Sequence, residues 1–376
     1  MLHVNWSEEA ICKYVDKGDQ AARQLPNRGP IIIKKDGTID TGFQDVFKEY
    51  GFYVFENVIL DLELLDLRTE MDSVFERALD NIDSSVDSQV TPKLGSDLDK
   101  PSFRFTKPLS DPNGGTDNND NRYEVKMSEP EPPSDAPERV ITHILSHLQL
   151  MDSTLRVYGH PQLLSIAEQI NGPNFTPFTE SIIVKPAKYG ASVAWHQDGT
   201  TRWDSPDWDP GTHGFNFMVQ LYGSTAANGV WVIPGSHKTG KINIREIKAA
   251  NGGSDRFPEA VPIVCNAGDV AITNRQVLHG SFANTSPDAR VSVNFGFHRR
   301  ESVLGVRRSN GEVYDEKRIH ERSRIIALAI DARQERYPNE PRYVYQPLVG
   351  EEEANRWSEE TRESILKNYN LNDLHL

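Results

Sequence analysis

The clearest pattern along the chain is helical. Over residues 61–80, apolar residues recur at spacings of three and four, which places them on one face of a helix. Similar spacing predicts helices over 138–150, 161–170 and 315–336, the second of which ends at an Asn-Gly-Pro chain-reversal signal. Helices are therefore expected on both sides of the middle of the chain.

The middle of the chain has the pattern of strands instead. From residue 178 to about 297, short runs rich in Val, Ile and Phe alternate with clusters of Gly, Pro, Asn and Asp. Several short strands at this spacing favour an antiparallel sandwich or barrel. Residues 41–60 predict a short helix, a break at Gly51 and a buried strand through Tyr53 to Phe55. We therefore expect a mainly β protein with flanking helices, in which a helical N-terminal region and a helical C-terminal extension pack on the core.

These changes in pattern also suggest the domain organisation. Residues 1–50 form an N-terminal segment, 51–299 the main domain and 300–376 the C-terminal extension. Within the domain, residues 81–137 are polar and rich in Asp, Ser, Asn, Pro and Gly, which is loop composition. We interpret this stretch as a solvated insertion, and the alternative is a lid over an active site. The C-terminal extension is expected either to cover the barrel or to form the face of a homodimer.

Charge and cysteine content narrow the function classes. The 376 residues carry 41 Lys and Arg against 55 Asp and Glu, a formal charge of −14, whereas a nucleic-acid or anionic-membrane surface requires a basic field. Cys12 and Cys265 are the only cysteines, too few for a disulfide framework and consistent with a reducing compartment. The N-terminus lacks the basic start and apolar run of a signal peptide, and no apolar stretch is long enough to span a bilayer. We expect a cytoplasmic protein that acts on a small molecule and binds neither nucleic acid nor membrane.

The segment WHQD at residues 195–198 contains the first candidate chemistry. In an extended segment, residues i and i+2 point to the same side, so His196 and Asp198 can converge on one ion. His-x-Asp alone is weak evidence, but His279 follows late in the same β-rich region. Two imidazoles and one carboxylate form the facial triad of non-haem Fe(II) oxygenases, which leaves coordination positions open for a co-substrate and O2. Zinc is more often held in a closed shell or with one open position.

The strand after His279 supports this interpretation independently. In residues 290–297, polar and apolar positions alternate with period two, so Arg290, Ser292 and Asn294 share one face. If the apolar face packs outward against helices, Arg290 is a buried cation that needs an anion, and its planar fork suits a carboxylate. The alternative is an edge strand with a solvated polar face.

Taken together, the motifs resemble those of a known family. WHQD at 195–198, NGVWVIPGSHK at 228–238 and HGS at 279–281, with Arg290 eleven residues after the histidine, are similar to the phytanoyl-CoA dioxygenase family of iron- and 2-oxoglutarate-dependent oxygenases. The resemblance covers roughly residues 51–299 and is strongest from residue 172 onward. It implies a double-stranded β-helix, the cupin-like jelly roll, as the core.

The resemblance also implies roles for particular residues. Fe(II) would be held by His196, Asp198 and His279. Arg290 would bind the distal carboxylate of 2-oxoglutarate, with Ser281 as a supporting donor.

Two more residues are assigned on weaker grounds. Lys185 lies eleven residues before His196, as in several relatives, and shares a strand face with Thr179. Both are interpreted as contacts to the co-substrate or the substrate. A solvated lysine at a strand end is the alternative.

The implied activity is that of an Fe(II)/2-oxoglutarate-dependent dioxygenase. With O2 as the oxidant, and with ascorbate as a useful addition in vitro, such an enzyme hydroxylates an unactivated C–H bond and releases succinate and CO2. Related halogenases carry Ala or Gly where Asp198 stands, so Asp198 favours hydroxylation or another oxidation. Two rival interpretations are a cupin-like metal enzyme that does not use 2-oxoglutarate and a non-catalytic jelly-roll binding protein.

Other candidates near these motifs are given lesser roles. His237 follows a Pro-Gly-Ser turn and is interpreted as a structural histidine that bonds local backbone groups. His213 could face the mouth of the barrel. The loop at 203–208 contains two tryptophans, which either close over the substrate or pack the loop onto the barrel.

Overall fold

The computed structural model describes residues 6–79, 94–98, 100–117, 122–178, 180–198, 214–307, 311–367 and 369. Its helices are α1 (Glu8–Gln24), α2 (Gly42–Tyr50), α3 (Asp61–Leu79), α4 (His147–Leu150), α5 (Asp152–Tyr158), α6 (Pro161–Asn171), α7 (Ile244–Ala250), α8 (Arg300–Val303), α9 (Glu316–Arg336) and α10 (Glu359–Leu366). Its strands are β1 (Arg28–Pro30), β2 (Phe52–Glu56), β3 (Phe103–Thr106), β4 (Val140–Ile144), β5 (Thr176–Pro177), β6 (Ser181–Lys185), β7 (Val193–His196), β8 (Gly214–Gln220), β9 (Trp231–Val232), β10 (Val261–Pro262), β11 (Val270–Asn274), β12 (His279–Ser281) and β13 (Arg290–His298).

The strands form a large sheet and a small sheet. The large sheet has the order β1-β2-β11-β8-β13-β6-β4-β3, with β5 also paired to β13, and the small sheet has the order β10-β9-β12-β7. From β6 to β13, each strand lies in the other sheet from the strand before it, except that β9 and β10 are neighbours in the small sheet. This crossing pattern is a double-stranded β-helix, so the expected jelly-roll core is confirmed.

The two faces of β13 show how the core is built. Val291, Val293, Phe295 and Phe297 lie in the main hydrophobic cluster, together with apolar residues of α3, α5, α6 and α9. Arg290 lies on the opposite, inner face, because side-chain direction alternates along a strand. The period-two pattern therefore predicted both the strand and which of its faces is covered by helices.

The terminal regions pack on this core. Tyr14 of α1 stacks on Trp231 of the small sheet, with ring centroids 4.6 Å apart. A Cβ at Gly18 would lie 2.2 Å from the Trp231 ring, so the close approach of α1 requires glycine there. In the C-terminal region, α9 contributes Ile325 and Ile326 to the main cluster. No helix among the described residues is both long and apolar enough to cross a membrane.

Two expectations are corrected. The predicted helix over 138–150 is instead strand β4 followed by the single turn α4. The run Val140-Ile141-Thr142 is β-branched and fits a strand between β3 and β6 better than a helix. The predicted loop over 81–137 contains strand β3, and its residues Tyr123, Val125 and Met127 are buried against the small sheet. The part of that stretch near these residues is therefore not a solvated insertion.

Candidate metal centre

The three candidate ligands come from adjoining ends of two paired strands. His196 ends β7 and His279 begins β12, and these two residues are direct cross-strand partners. Their ring centroids lie 4.1 Å apart. Asp198 follows β7 by two residues, and its backbone N–H donates to the Arg275 carbonyl at 2.7 Å. One ligand atom from each of His196, Asp198 and His279 lies within 4.8 Å of the other two.

Backbone carbonyls orient both imidazoles. His196 Nδ1 lies 2.8 Å from the Ala194 carbonyl oxygen, and His279 Nδ1 lies 2.9 Å from that of Val277. Because a carbonyl only accepts, each Nδ1 carries the proton and each Nε2 keeps a free lone pair. Burial and the neighbouring His196 lower the pKa of His279 to about 4. At neutral pH, His279 is therefore the neutral imidazole that a metal requires.

The carboxylate of Asp198 is fixed from two sides. Its Oδ2 accepts a hydrogen bond from Asn216 Nδ2 at 3.0 Å, and its Oδ1 lies 3.3 Å from Arg122 Nη1 and 3.5 Å from His196 Nε2. Burial alone would raise the pKa of Asp198, but the side chains around it, the Arg122 guanidinium among them, hold it well below its usual range. The carboxylate is therefore ionised, and Oδ1 is the oxygen that faces the histidines.

This donor set fits a divalent ion with open coordination positions. Two neutral nitrogen donors and one carboxylate oxygen are the ligands of non-haem Fe(II) sites. Within the described part of the chain, no other three histidine, cysteine or carboxylate side chains bring their ligand atoms so close together. The three residues that the sequence predicts as metal ligands thus lie together, and their role as ligands stays a prediction.

A pair of buried cations lies on the inner face of the large sheet. Arg290 of β13 and Lys185 of β6 are cross-strand partners and are 2% and 1% exposed. The Lys185 ammonium donates to the Phe282 carbonyl. Arg290 Nε and Nη1 are buried without a hydrogen-bond partner, and neither cation has an ion-pair partner among the residues with described positions. Burial, followed by the charge of Arg290, lowers the pKa of Lys185 well below its usual value.

Ser281 of β12 directly precedes Phe282, whose carbonyl accepts the hydrogen bond from Lys185. It is 1% exposed, and its Oγ is buried without a hydrogen-bond partner. An unsatisfied buried hydroxyl costs free energy, so it is a natural donor for a polar ligand.

Thr179, His213 and the tryptophan loop at 203–208 lie outside the described residues. His237 lies apart from the candidate ligands, and its Nε2 is 3.0 Å from the Lys48 carbonyl oxygen.

Three residues of the site were not predicted from the sequence. Asn216 alternates with apolar neighbours on β8 and pairs with Gly296 of β13, which places it on the same inner face as Asn294 and Ser292. Arg122 and Tyr123 lie in the stretch that we interpreted as solvated. The Tyr123 ring lies 4.7 Å from the His196 ring, centroid to centroid. The period-two pattern of β8 could have predicted that Asn216 faces the site. The sequence around Arg122 and Tyr123 gives no indication that these two residues lie next to the candidate metal ligands.

Comparison with known protein families identifies the chain. A family model described as phytanoyl-CoA dioxygenase matches residues 47–292, well over half of the sequence. The chain belongs to the phytanoyl-CoA dioxygenase family. The resemblance that the motifs indicate is therefore confirmed.

Several members of the family and related proteins are similar to this one. Ectoine dioxygenase of Halomonas elongata is 28% identical over 167 residues, which cover 39% of this chain and 50% of that protein. Phytanoyl-CoA dioxygenase 1 of Oryza sativa is 33% identical over 116 residues, which cover 29% of this chain and 39% of that protein. The phytanoyl-CoA dioxygenase of Arabidopsis thaliana is 25% identical over 269 residues, which cover 68% of this chain and 87% of that protein. The chain thus spans half or less of the first two relatives and most of the third.

Solved structures of similar proteins are more distant. EctD from S. alaskensis with 2-oxoglutarate and 5-hydroxyectoine has a TM-score of 0.47 and 17% identity, over 75% of this chain and 85% of that one. AviO1 from Streptomyces viridochromogenes has a TM-score of 0.46 and 17% identity, over 67% of this chain and 91% of that one.

Proposed function

We propose that this member of the phytanoyl-CoA dioxygenase family is an Fe(II)- and 2-oxoglutarate-dependent dioxygenase. The reaction proposed is hydroxylation of an unactivated C–H bond in a small organic substrate, with release of succinate and CO2. The observation that carries the proposal is the combination of the three converging ligands with a buried, unpaired arginine on the inner face of the same barrel.

The ligand residues would hold the iron in a defined tautomeric and charge state. His196 and His279 would bind through Nε2, since their Nδ1 atoms donate to backbone carbonyls. Asp198 would bind through Oδ1, since Asn216 occupies its Oδ2. When bound, Fe(II) with O2 and 2-oxoglutarate supplies the oxidising chemistry, and the three side chains leave coordination positions open for it.

Arg290 and Lys185 would orient the co-substrate. A dicarboxylate that binds the iron at one end has a second carboxylate to place, and the buried, unpaired guanidinium of Arg290, with Lys185 beside it as a hydrogen-bond donor, is a strong attraction for it. Arg290 can form two parallel hydrogen bonds to a carboxylate, and the Ser281 hydroxyl is available as a further donor. Their burial also excludes water from the inner end of the site, which strengthens these interactions.

The test is reconstitution of the purified protein with Fe(II) and ascorbate under anaerobic conditions. We expect one equivalent of iron, saturable binding of 2-oxoglutarate, and succinate formation that selected members of a small-molecule panel stimulate once O2 is admitted. His279→Gln should lose iron. His237→Gln is the matched control, since His237 bonds only backbone away from the ligands, and it should keep iron.

Other results would point to the rival functions. Iron binding without 2-oxoglutarate binding, together with an Arg290→Met variant that behaves like wild type, would favour a cupin-like enzyme of another kind. Protein that binds neither iron nor 2-oxoglutarate, with no succinate from any panel member, would refute the proposal and favour a binding protein.

A further inference from the structure

Arg122 lies beside the candidate metal ligands and is paired with one of them. Its only ion pair in the described part of the chain is with Asp198, at 3.3 Å from Nη1 to Oδ1. Its Nε is buried without a hydrogen-bond partner, and its side chain is 20% exposed. The guanidinium is therefore largely removed from water, and only part of its hydrogen-bonding capacity is used.

Metal binding would change this arrangement. Oδ1 is the Asp198 oxygen that faces His196, whereas Oδ2 is occupied by Asn216. A divalent ion that takes Oδ1 competes with Arg122 for the same negative charge and also repels the guanidinium. A partly buried arginine that loses its carboxylate requires another anion.

A second arginine acts on the same region. Arg104 of β3 pairs with His143 of β4, which in turn pairs with Ile183 of β6, so the three form one row across the sheet. Ile183 pairs with Ser292 on the inner face of β13. The row therefore continues the inner face to the edge of the sheet.

Electrostatic effects link the two arginines. Burial raises the pKa of Tyr123, while the charges of Arg122 and Arg104 both act to lower it. Burial and then the Arg104 charge lower the pKa of His143 to about 4, so this histidine is neutral at pH 7. Arg122 thus lies next to the candidate ligands, and Arg104, exposed at the edge of the sheet, adds positive charge to the same side of the site, although the whole chain carries a formal charge of −14.

From these contacts we infer that the substrate is a small carboxylic acid whose carboxylate binds Arg122, with Arg104 adding favourable charge, once the metal has taken Asp198 Oδ1. This inference rests on the proposed function and adds the substrate class to it. Because Arg122 is in contact with a metal ligand, the oxidised carbon lies only a few bonds from the carboxylate. The bidentate fork of Arg122 distinguishes a carboxylate from its uncharged amide.

The experiment measures binding without turnover. The protein is loaded with Mn(II) and saturating 2-oxoglutarate in the absence of O2, and calorimetry is done with a panel of small aliphatic and aromatic carboxylic acids, each paired with its primary amide. We expect acids to bind roughly ten- to a hundredfold more tightly than their amides. Arg122→Gln should remove this preference, and Arg122→Lys should retain part of it.

Arg245→Gln is the matched control. Arg245 contacts the same segment, with Nε 3.4 Å from the Glu124 carbonyl oxygen, but it is exposed and makes no contact with the ligands. This variant should keep the preference for acids. A second readout is linkage: the acid should tighten Mn(II) binding by the factor by which Mn(II) tightens the acid, and Arg122→Gln should abolish this coupling.

The outcomes separate the two proposals. Failure of the wild-type protein to bind Mn(II) and 2-oxoglutarate overturns the proposed function and this inference with it. If both bind, the inference alone is overturned by amides that bind as tightly as acids, or by a panel in which no acid binds up to its solubility limit. It is also overturned if Arg122→Gln weakens Mn(II) binding but leaves the preference for acids intact, since Arg122 would then only position Asp198.

Discussion

Replacing Arg290 with methionine should separate co-substrate binding from stability. Arg290 is 2% exposed, and two of its nitrogens have no hydrogen-bond partner. In the absence of 2-oxoglutarate it is therefore a buried charge without a counterion, which is costly to a folded protein. Methionine has a flexible apolar side chain that fills irregular space and carries no charge. We expect Arg290→Met to lose 2-oxoglutarate binding without losing stability.

The expected change in the free energy of unfolding follows from the pKa of the Arg290 guanidinium. Burial lowers the pKa of Arg290 well below its usual value, to about 10. Each tenfold change in acidity is worth about 1.4 kcal/mol, so burial penalises the charged form by about 3 kcal/mol. Because the pKa is lowered on folding, this penalty is present in full below pH 10, and therefore throughout the usual assay range. Part of the gain is lost to the space left by the guanidinium.

Thermal unfolding with and without 2-oxoglutarate tests this prediction. Without 2-oxoglutarate, the midpoint of Arg290→Met should equal or exceed that of wild type, by up to about 6 °C at about 2 °C per kcal/mol. With Mn(II) present, 2-oxoglutarate at a hundredfold its dissociation constant should stabilise wild type by about 2.7 kcal/mol and leave the variant unchanged.

Arg322→Met is the matched control for burial. Arg322 is 1% exposed, but it donates to the Phe178 and Tyr369 carbonyls at 2.7 and 2.8 Å and lies 3.5 Å from Glu180. Removing it takes away two hydrogen bonds to backbone carbonyls and the ion pair with the buried Glu180, so this variant should lose about 3–5 kcal/mol. The reasoning is refuted if Arg290→Met is destabilised as much as Arg322→Met, or if 2-oxoglutarate stabilises Arg290→Met as much as wild type.

Three further predictions concern the metal site and the core. His196→Ala and Asp198→Ala should each lose iron at near-stoichiometric protein, measured as metal content after desalting; full retention in both variants would reject the triad. Asn216→Ala removes the hydrogen bond that fixes the Asp198 carboxylate and should weaken metal affinity about 10–100-fold, and an unchanged affinity in a metal competition assay would contradict this role. Burial lowers the pKa of His147 to about 3. As the pH falls, His147 is therefore protonated in the unfolded chain before it is protonated in the folded protein, and the free energy of unfolding should fall by up to about 1.4 kcal/mol per pH unit between about pH 6.5 and 3. Urea unfolding against pH should show a shallower slope for His147→Leu, and identical slopes would exclude His147 as a source of the acid sensitivity.

The sequence predicted those helices and strands that bury one face and leave the other in different surroundings, because this arrangement produces a regular spacing of apolar residues. α3 lies at Asp61–Leu79, almost where its apolar spacing places it, because a single stripe of that helix is buried. Gly51 has a φ of 82°, in the left-handed region that ends α2 and begins β2, as its position between the two patterns indicated. β13 was predicted for the same reason, since its two faces meet different surroundings.

The sequence failed where distant parts of the chain decide the structure. β4 takes its conformation from pairing with β3 and β6, and the apolar spacing of 138–150 also suits a helix. Arg122 reaches Asp198 across 76 positions of sequence, and its local surroundings are those of a loop. Local patterns contain no information about such contacts.

The pairing of His196 with His279 means that the candidate metal site depends on the backbone hydrogen bonds between two strands as much as on its side chains. A shift of β7 against β12 by a single residue would turn every side chain of the shifted strand to the other face and carry its imidazole away from the site. A one-residue insertion or deletion in either strand should therefore be far more damaging than most substitutions there. The segment that bears Arg122 belongs to no strand ladder, so an insertion or deletion near Arg122 would leave the pairing of the two imidazoles in place.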